Sequence, residues 1–337
     1  MSGDEQAIIK FVDEALLNAV RLDASDIHFE VFESDFTVRY RVNGILTDHA
    51  AANMDIGEPV MTRLKVLSNL NIAEHRLPQD GNFVQQINGN GVEFRISTLP
   101  TQFGESVVLR VLQSNKNIAS IHELCKTDHI FEKNLEKIMH SRGITLLTGP
   151  TGCGKTTTLY SILNELNGDD VKILTCEDPV EYVVDGISQS SVNADIGFSF
   201  NNVLRSFLRH DPDVILVGEI RDRETAELAI RAALTGHTVF STLHANDAVN
   251  AIPRLLDLGI DRNMLAEAVI CIIAQRLILN DAISQENPRG RKAIFETLMI
   301  SETIKQAIKS NLPTKEILAL AMEQGMVPLS KFAQNSR

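Results

Sequence analysis

Eight consecutive residues, Gly149-Pro150-Thr151-Gly152-Cys153-Gly154-Lys155-Thr156, limit what this chain can fold into more than any other stretch of it. They match G-x-x-x-x-G-K-[ST], with an apolar run at Ile144–Leu147 before them and a helix-forming run, TTTLYSILNEL, continuing from Thr156. Glycines in such a loop let successive backbone N–H groups curl around an anion, and a helix N-terminus adds a dipole that favours negative charge. The pattern predicts a strand–loop–helix unit that cradles the phosphates of a nucleotide over Gly149–Thr156 and the adjoining Thr157. Lys155 is placed to reach the β- and γ-phosphates, and the Thr156 hydroxyl to ligate Mg²⁺.

The rest of the second half keeps the same rhythm. Short apolar runs at Ile144–Leu147, Val171–Leu174, Val214–Val217 and Val239–Thr242 alternate with helical stretches, which predicts βαβ units and a parallel sheet. Residues 296–337 read as a helical tail, broken at Asn311-Leu312-Pro313 and near Pro328. The first half has a different period. Residues 5–22 set Ile8, Ile9, Val12, Leu16, Ala19 and Val20 at helical spacing. Phe36–Val42 then alternates apolar and polar before the hairpin signal Asn43-Gly44. Asn82–Ile87, Val92–Ser97 and Val107–Leu112 read as further strands, turned at Asn88–Gly91 and Gln102–Glu105. The expectation is a two-domain chain: an N-terminal α+β domain with an antiparallel sheet at 1–112, a polar linker at 113–122, and a C-terminal α/β domain with a largely parallel sheet at 123–337.

A phosphate cradle of this kind works with carboxylates, for Mg²⁺ and for the attacking water. Val214-Ile215-Leu216-Val217-Gly218-Glu219 delivers one acid off an apolar strand, with glycine where an aspartate is usual. Lys172–Glu181 delivers Glu177, Asp178 and Glu181 around Pro179, which keeps Asp178 out of the helical region and leaves the acids at the sheet edge. Taken singly, each is also what a solvated strand end carries. Thr235–Asn246 sets His237 before a strand and His244 after it, ahead of a helix beginning near Asn246. A neutral imidazole beside a γ-phosphate can sense or polarise it, whereas a lone histidine in this setting more simply caps or packs.

Composition removes several classes. With 32 basic and 44 acidic residues the net charge is −12, the wrong sign for a protein that lives on phosphate backbones or anionic lipid. Aromatic residues are 5% and tryptophan is absent, so stacking platforms for single strands are few. No apolar run is long enough to span a bilayer, and MSGDEQAIIKF lacks the basic start of a secretory signal. Cys125, Cys153, Cys176 and Cys271 lie far apart without a C-x-x-C pair, as in a reduced, cytosolic chain without a zinc knuckle.

Together these segments resemble the secretion ATPase superfamily, the motors of type II secretion and of type IV pilus assembly and retraction. GPTGCGKTTTLY is similar to its Walker A, CEDPVEY to its Asp box, LRHDPDVILVGEIRD to its Walker B and TGHTVFSTLHAND to its His box. ASDIHFE, VRYRVNGIL, RLPQDG and FRISTLPTQFGESVVLRVL resemble its N-terminal domain, in family order. The resemblance implies a RecA-like ATPase domain and a homo-hexameric ring, with nucleotide between the two domains and the site completed by a neighbouring subunit. It implies that Arg95 and Arg110 contact the phosphates of ATP, and that Glu219 organises Mg²⁺ and its waters. Glu177 or Glu181 would orient or activate the nucleophilic water, with Asp178, His237 and His244 in the same site. The linker at 113–122 would be the hinge. An inner-membrane platform protein and a docking protein are the implied partners, at the cytoplasmic face of that membrane, and no nucleic acid is expected.

Three departures accompany the match. Cys153 stands where the family's P-loop has serine, and its side chain need not touch phosphate. Ile278–Lys292 contains no cysteine, so the paired C-x-x-C zinc ligands of many assembly motors are absent. The extra N-terminal docking domain of those motors is expected to be missing here, either naturally or by truncation. Retraction motors lack both features, yet RLPQDG and STLP resemble the secretion and assembly branch, which is the first expectation. The alternatives are a retraction motor and an ATP-binding scaffold or switch with negligible turnover. A P-loop nucleic-acid motor and a type IV secretion traffic ATPase stand further off.

Overall fold

The computed structural model describes residues 3–42, 44–113, 118–193, 196–279 and 291–334. It divides into two units, Met1–Lys116 and Asn117–Arg337. Of the linker read at 113–122, residues 114–117 lie outside the described residues, and Ile121–Cys125 is already helix (α3).

The first unit runs α1 (Gly3–Arg21), β1 (Asp26–Val31), β2 (Asp35–Val42), β3 (Ile45–Asn53), α2 (Gly57–Leu67), β4 (Gln79–Ile87), β5 (Asn90–Thr101) and β6 (Gly104–Gln113). Its six strands form one antiparallel sheet in the order β3-β2-β1-β6-β5-β4. Alternation decides its faces. Phe36, Val38 and Tyr40 of β2, Phe94 and Ile96 of β5 and Val107 and Leu109 of β6 are buried in one core with Val12 and Leu16 of α1 and Val60 and Leu64 of α2. The intervening residues carry charge on the other face. Asn88 and Gly89 join β4 to β5 with φ of 54° and 82°, the conformation a two-residue primed turn demands. β2 and β3 flank the second such signal; its Asn43 lies outside the described residues.

The second unit continues with α4 (His129–His140), β7 (Gly143–Thr148), α5 (Lys155–Leu166), β8 (Ile173–Glu177), β9 (Ser188–Ser191), α6 (Phe200–Phe207), β10 (Val214–Val217), α7 (Arg223–Leu234) and β11 (Thr238–Leu243). It ends with α8 (Ala251–Asp257), α9 (Arg262–Ala268), β12 (Val269–Leu279), β13 (Arg291–Met299), α10 (Glu302–Lys309) and α11 (Thr314–Glu323). The sheet order is β13-β12-β7-β11-β10-β8-β9, parallel except between β12 and β13. Ile215 and Val217 pack on α6, α7 and α9, while Val214 and Leu216 pack on α3, α4 and α5, so the sheet is buried on both sides.

Two expectations change here, and one strand went unread. Glu296–Met299, read as the start of a helical tail, belongs to β13, and helix resumes only at Glu302. β12 went unread because Val269–Leu279 is nearly continuous apolar sequence, which shows no alternation when both faces are covered. The helix placed near Asn246 starts at Ala251. Residues 280–290, most of the stretch read as lacking zinc ligands, lie outside the described residues. Among those described, no helix is long and apolar enough to cross a membrane.

Candidate active site

Four parallel strands, β7, β11, β10 and β8, end at the same edge of the second sheet, and the chemistry sits on the loops that leave them. The loop after β7 is the glycine-rich octapeptide. Gly149, Gly152 and Gly154 take φ of 145°, 78° and 89°. A Cβ at Gly149 would meet the Gln275 carbonyl oxygen at 2.6 Å and the Cys153 sulfur at 2.7 Å, so the tight path of the loop excludes a side chain there. Gly154 is the N-cap of α5 and makes no side-chain cap bond, which leaves the first-turn amides for an anion. Pro150, Thr151 and Gly152 form the exposed outer arc, with Thr156 half-buried and Thr157 exposed in the first turn of α5. Lys155 Nζ spans the loop to the Gly149 and Pro150 carbonyls at 2.9 and 3.0 Å. Cys153 is buried, and burial pushes its thiol pKa up, which makes it an inert packing group.

Beyond β10, Glu219 is largely shielded and paired with Arg221, whose guanidinium lies 2.5 Å from Oε1 and 3.5 Å from Asp178. His244, leaving β11, brings Nε2 to 3.7 Å from the other Glu219 oxygen. Gly218 explains the missing aspartate: a Cβ there would lie 3.1 Å from the Cys176 carbonyl and 3.2 Å from the Glu177 Cα. Its absence lets β10 close on the end of β8, where the Gly218 amide donates to Cys176 at 2.7 Å. A cleft of about 480 Å³ opens beside the loop, lined among others by Gly149, Pro150, His244, Asn246, Arg254 and Arg276.

Glu177 closes β8 and is only 4% exposed. Its carboxylate accepts from the Tyr160 hydroxyl, from Thr175 Oγ1 at 2.5 Å and from Gln189 Nε2 at 3.5 Å. Burial pushes its pKa up against the pull of those donors. Tyr160, from α5, also accepts the Glu181 amide at 3.4 Å, so one hydroxyl ties the P-loop helix to the Asp-box loop. The Glu181 side chain itself is exposed.

His237 does not join this group. β11 runs from just after His237 to just before His244, so the two sit at opposite ends of one strand, about 23 Å apart at ~3.3 Å per residue. Its Nδ1 lies 3.0 Å from the Ala232 carbonyl at the end of α7, the capping role rather than a nucleotide contact. In the first unit, Arg95 and Arg110 are direct cross-strand partners on β5 and β6. Arg110 donates to Asp26 at 3.2 Å, and Arg41 approaches the other Asp26 oxygen at 3.9 Å. Register thus lines Arg41, Asp26, Arg110, Arg95 and Asn82 across five strands.

Tyr160, Arg221 and Gln275 are site residues that the sequence alone did not single out. Tyr160 and Arg221 sit inside quoted motifs, GPTGCGKTTTLY and GEIRD, but with no spacing rule that marks them. Gln275, a lone amide in the apolar run of β12, was the legible anomaly.

Residues 2–335 match the family described as Type II/IV secretion system protein. The chain belongs to the type II/IV secretion system protein family. This is a family of secretion ATPases. A type II secretion system protein E of Xanthomonas campestris pv. campestris is 40% identical over 361 residues, spanning 96% of this chain and 64% of the relative. A type II secretion system ATPase E of Vibrio cholerae is 45% identical over 277 residues, spanning 82% of this chain and 55% of the relative. The chain therefore covers little more than half to two-thirds of those relatives. The crystal structure of the pilus retraction motor PilT with bound ADP superposes with a TM-score of 0.70 at 29% identity, covering 94% of each chain. The Legionella pneumophila ATPase DotB shares the fold, with a TM-score of 0.69 at 23% identity.

Proposed function

We propose that this chain hydrolyses Mg²⁺-ATP as one subunit of a homo-hexameric motor at the cytoplasmic face of the inner membrane. The motor drives type II protein secretion or assembly of a type IV pilus or pseudopilus, through a platform protein in that membrane and a docking protein. The observation that carries the reading is the convergence, at one sheet edge, of the glycine loop with the paired group of Glu219, Arg221, Asp178 and His244. The names of the Xanthomonas and Vibrio relatives favour secretion over retraction.

In this reading the first-turn amides of α5 and Lys155 grip the β- and γ-phosphates. Thr156 Oγ1 and the Glu219 carboxylate are hard oxygen donors of the kind magnesium takes, and they would hold it. Magnesium, when bound, neutralises charge building on the phosphate oxygens. Glu177, buried and oriented by Tyr160 and Thr175, accepts the proton of the attacking water; Glu181 is the alternative base one loop turn away. Arg95 and Arg110 supply positive charge to the transferring phosphoryl group of a neighbouring subunit, a role supported by their pairing at one register position. Residues 113–122 act as the hinge between grip and release.

Phosphate release from Mg²⁺-ATP by the parent chain and by Lys155→Ala tests the reading. Turnover in the parent and its loss in the variant support it. Equal phosphate release by both would remove the P-loop from the chemistry. A rigidified linker that hydrolyses ATP yet leaves secretion or pilus output unchanged would remove the hinge.

A further inference from the structure

Gln275 is 1% exposed, lies in the middle of β12, and spends both ends of its amide on the nucleotide loop and its helix. Its Nε2 donates to the Cys153 carbonyl at 2.9 Å, and its Oε1 accepts from Thr158 Oγ1 at 2.9 Å. The same side chain fills the space under Gly154, where a Cβ would meet Nε2 at 3.0 Å. A trans peptide holds its C=O and the next N–H in one plane, pointing in opposite directions. Capture of the Cys153 carbonyl by a buried amide therefore turns the Gly154 N–H away from Gln275.

We infer that Gln275 is the positioning residue that orients the Cys153–Gly154 peptide so that the Gly154 amide donates to a bound phosphate. This rests on the nucleotide reading of the loop. Few side chains meet the requirement. The position needs one donor for Cys153 and one acceptor for Thr158, at a reach that spans the loop, and a neutral glutamine supplies both. A leucine supplies neither, and an ionised glutamate supplies two acceptors and a negative charge beneath a phosphate site. A protonated glutamic acid supplies donor and acceptor again. Near position 275 lie the Cys153 thiol, on which Lys155 and Arg276 act electrostatically, and Arg276 of β12 itself, with Phe295 opposite on β13. All are common to parent and variant.

The test is equilibrium binding of a fluorescent ATP analogue to the full chain, parent, Gln275→Leu and Gln275→Glu, at pH 6 and pH 8, with unliganded melting temperatures alongside. Gln275→Leu should bind about tenfold weaker or worse at both pH values, from the orphaned carbonyl and hydroxyl. Gln275→Glu should bind at least as weakly as Gln275→Leu at pH 8 and recover toward the parent at pH 6, a recovery that a purely structural defect would not give. Parent-like affinity in both variants, or a Gln275→Glu deficit equal at the two pH values, would overturn the inference while leaving the site reading intact. A parent that binds no nucleotide would overturn both. If Gln275→Leu does not fold, the pH dependence of Gln275→Glu against the parent decides alone.

Discussion

In the first unit charge lies across the face of a sheet: Arg41, Asp26, Arg110 and Arg95 stand opposite one another because antiparallel register puts them there. In the second it lies along an edge: the P-loop, His244, Glu219 and Glu177 come at the ends of four parallel strands. A half-wet antiparallel sheet can carry arginines on its open face at little cost, since exposed ion pairs are worth roughly 0–1 kcal/mol either way. A sheet covered on both sides has no such face, so its polar chemistry is confined to strand ends. At the edge Glu177 is buried and held by Tyr160 and Thr175, whereas on the face Arg110 stays largely exposed while pairing with the buried Asp26.

The greatest loss is expected where the face is tested for any part in catalysis. Replacing Arg95 and Arg110 together by alanine should lower the steady-state hydrolysis rate about 10³-fold, the scale of a lost arginine finger, while ATP binding changes little. A loss below tenfold would confine catalysis to the edge. The second prediction concerns the cost of burial within the first unit. Lys65 and Glu105, 1% and 6% exposed, pair at 2.7 Å, unlike Arg39 and Glu30 on the open face. Urea unfolding should show a loss of about 3 kcal/mol for Glu105→Gln, from the stranded Lys65 charge. The same assay should show under about 1 kcal/mol for Glu30→Gln.

A smaller effect separates the edge carboxylates. In the proposed base role Glu177 must be ionised to take a proton, and burial raises its pKa, so activity should fall as pH drops through that raised value. The Tyr160 hydroxyl favours the ionised form. Tyr160→Phe should therefore move the acid limb of the rate profile to higher pH and lower the rate at neutrality roughly tenfold or less, from the loss of one hydrogen bond to a charged group. An unmoved acid limb would transfer the base role to Glu181. Smallest of all, Cys153→Ser should leave turnover within about twofold, because this side chain faces the interior of the loop and takes no charge.

Much of this arrangement was legible beforehand, for reasons that differ between the units. Alternation at Phe36–Val42 and the turn Asn88-Gly89 announced the antiparallel sheet, whereas Arg95 and Arg110 were singled out by the family resemblance alone and are made partners by register. The octapeptide announced the edge site. The elements that stayed hidden had no period to show them. β12 is too uniformly apolar for alternation, the end of β13 was taken for the start of a helical tail, and β1 and α2 passed unread among short mixed segments. His237 and His244 looked equivalent along the chain, yet one strand's length separates them. Tyr160 and Gln275 acquire their roles from residues 17 and 122 positions away, a relation that spacing does not encode.

Edge and face come together in the proposed motor only if the edge site of one copy of the chain is completed by the arginine face of another. Mg²⁺-ATP turnover per subunit, followed across protein concentration beside Glu219→Gln and Arg95→Ala, tests that dependence without intermediaries. A shared site makes specific activity climb with concentration to a plateau, and both variants lose it. Turnover that is flat with concentration, with Arg95→Ala as active as the parent, would contradict it.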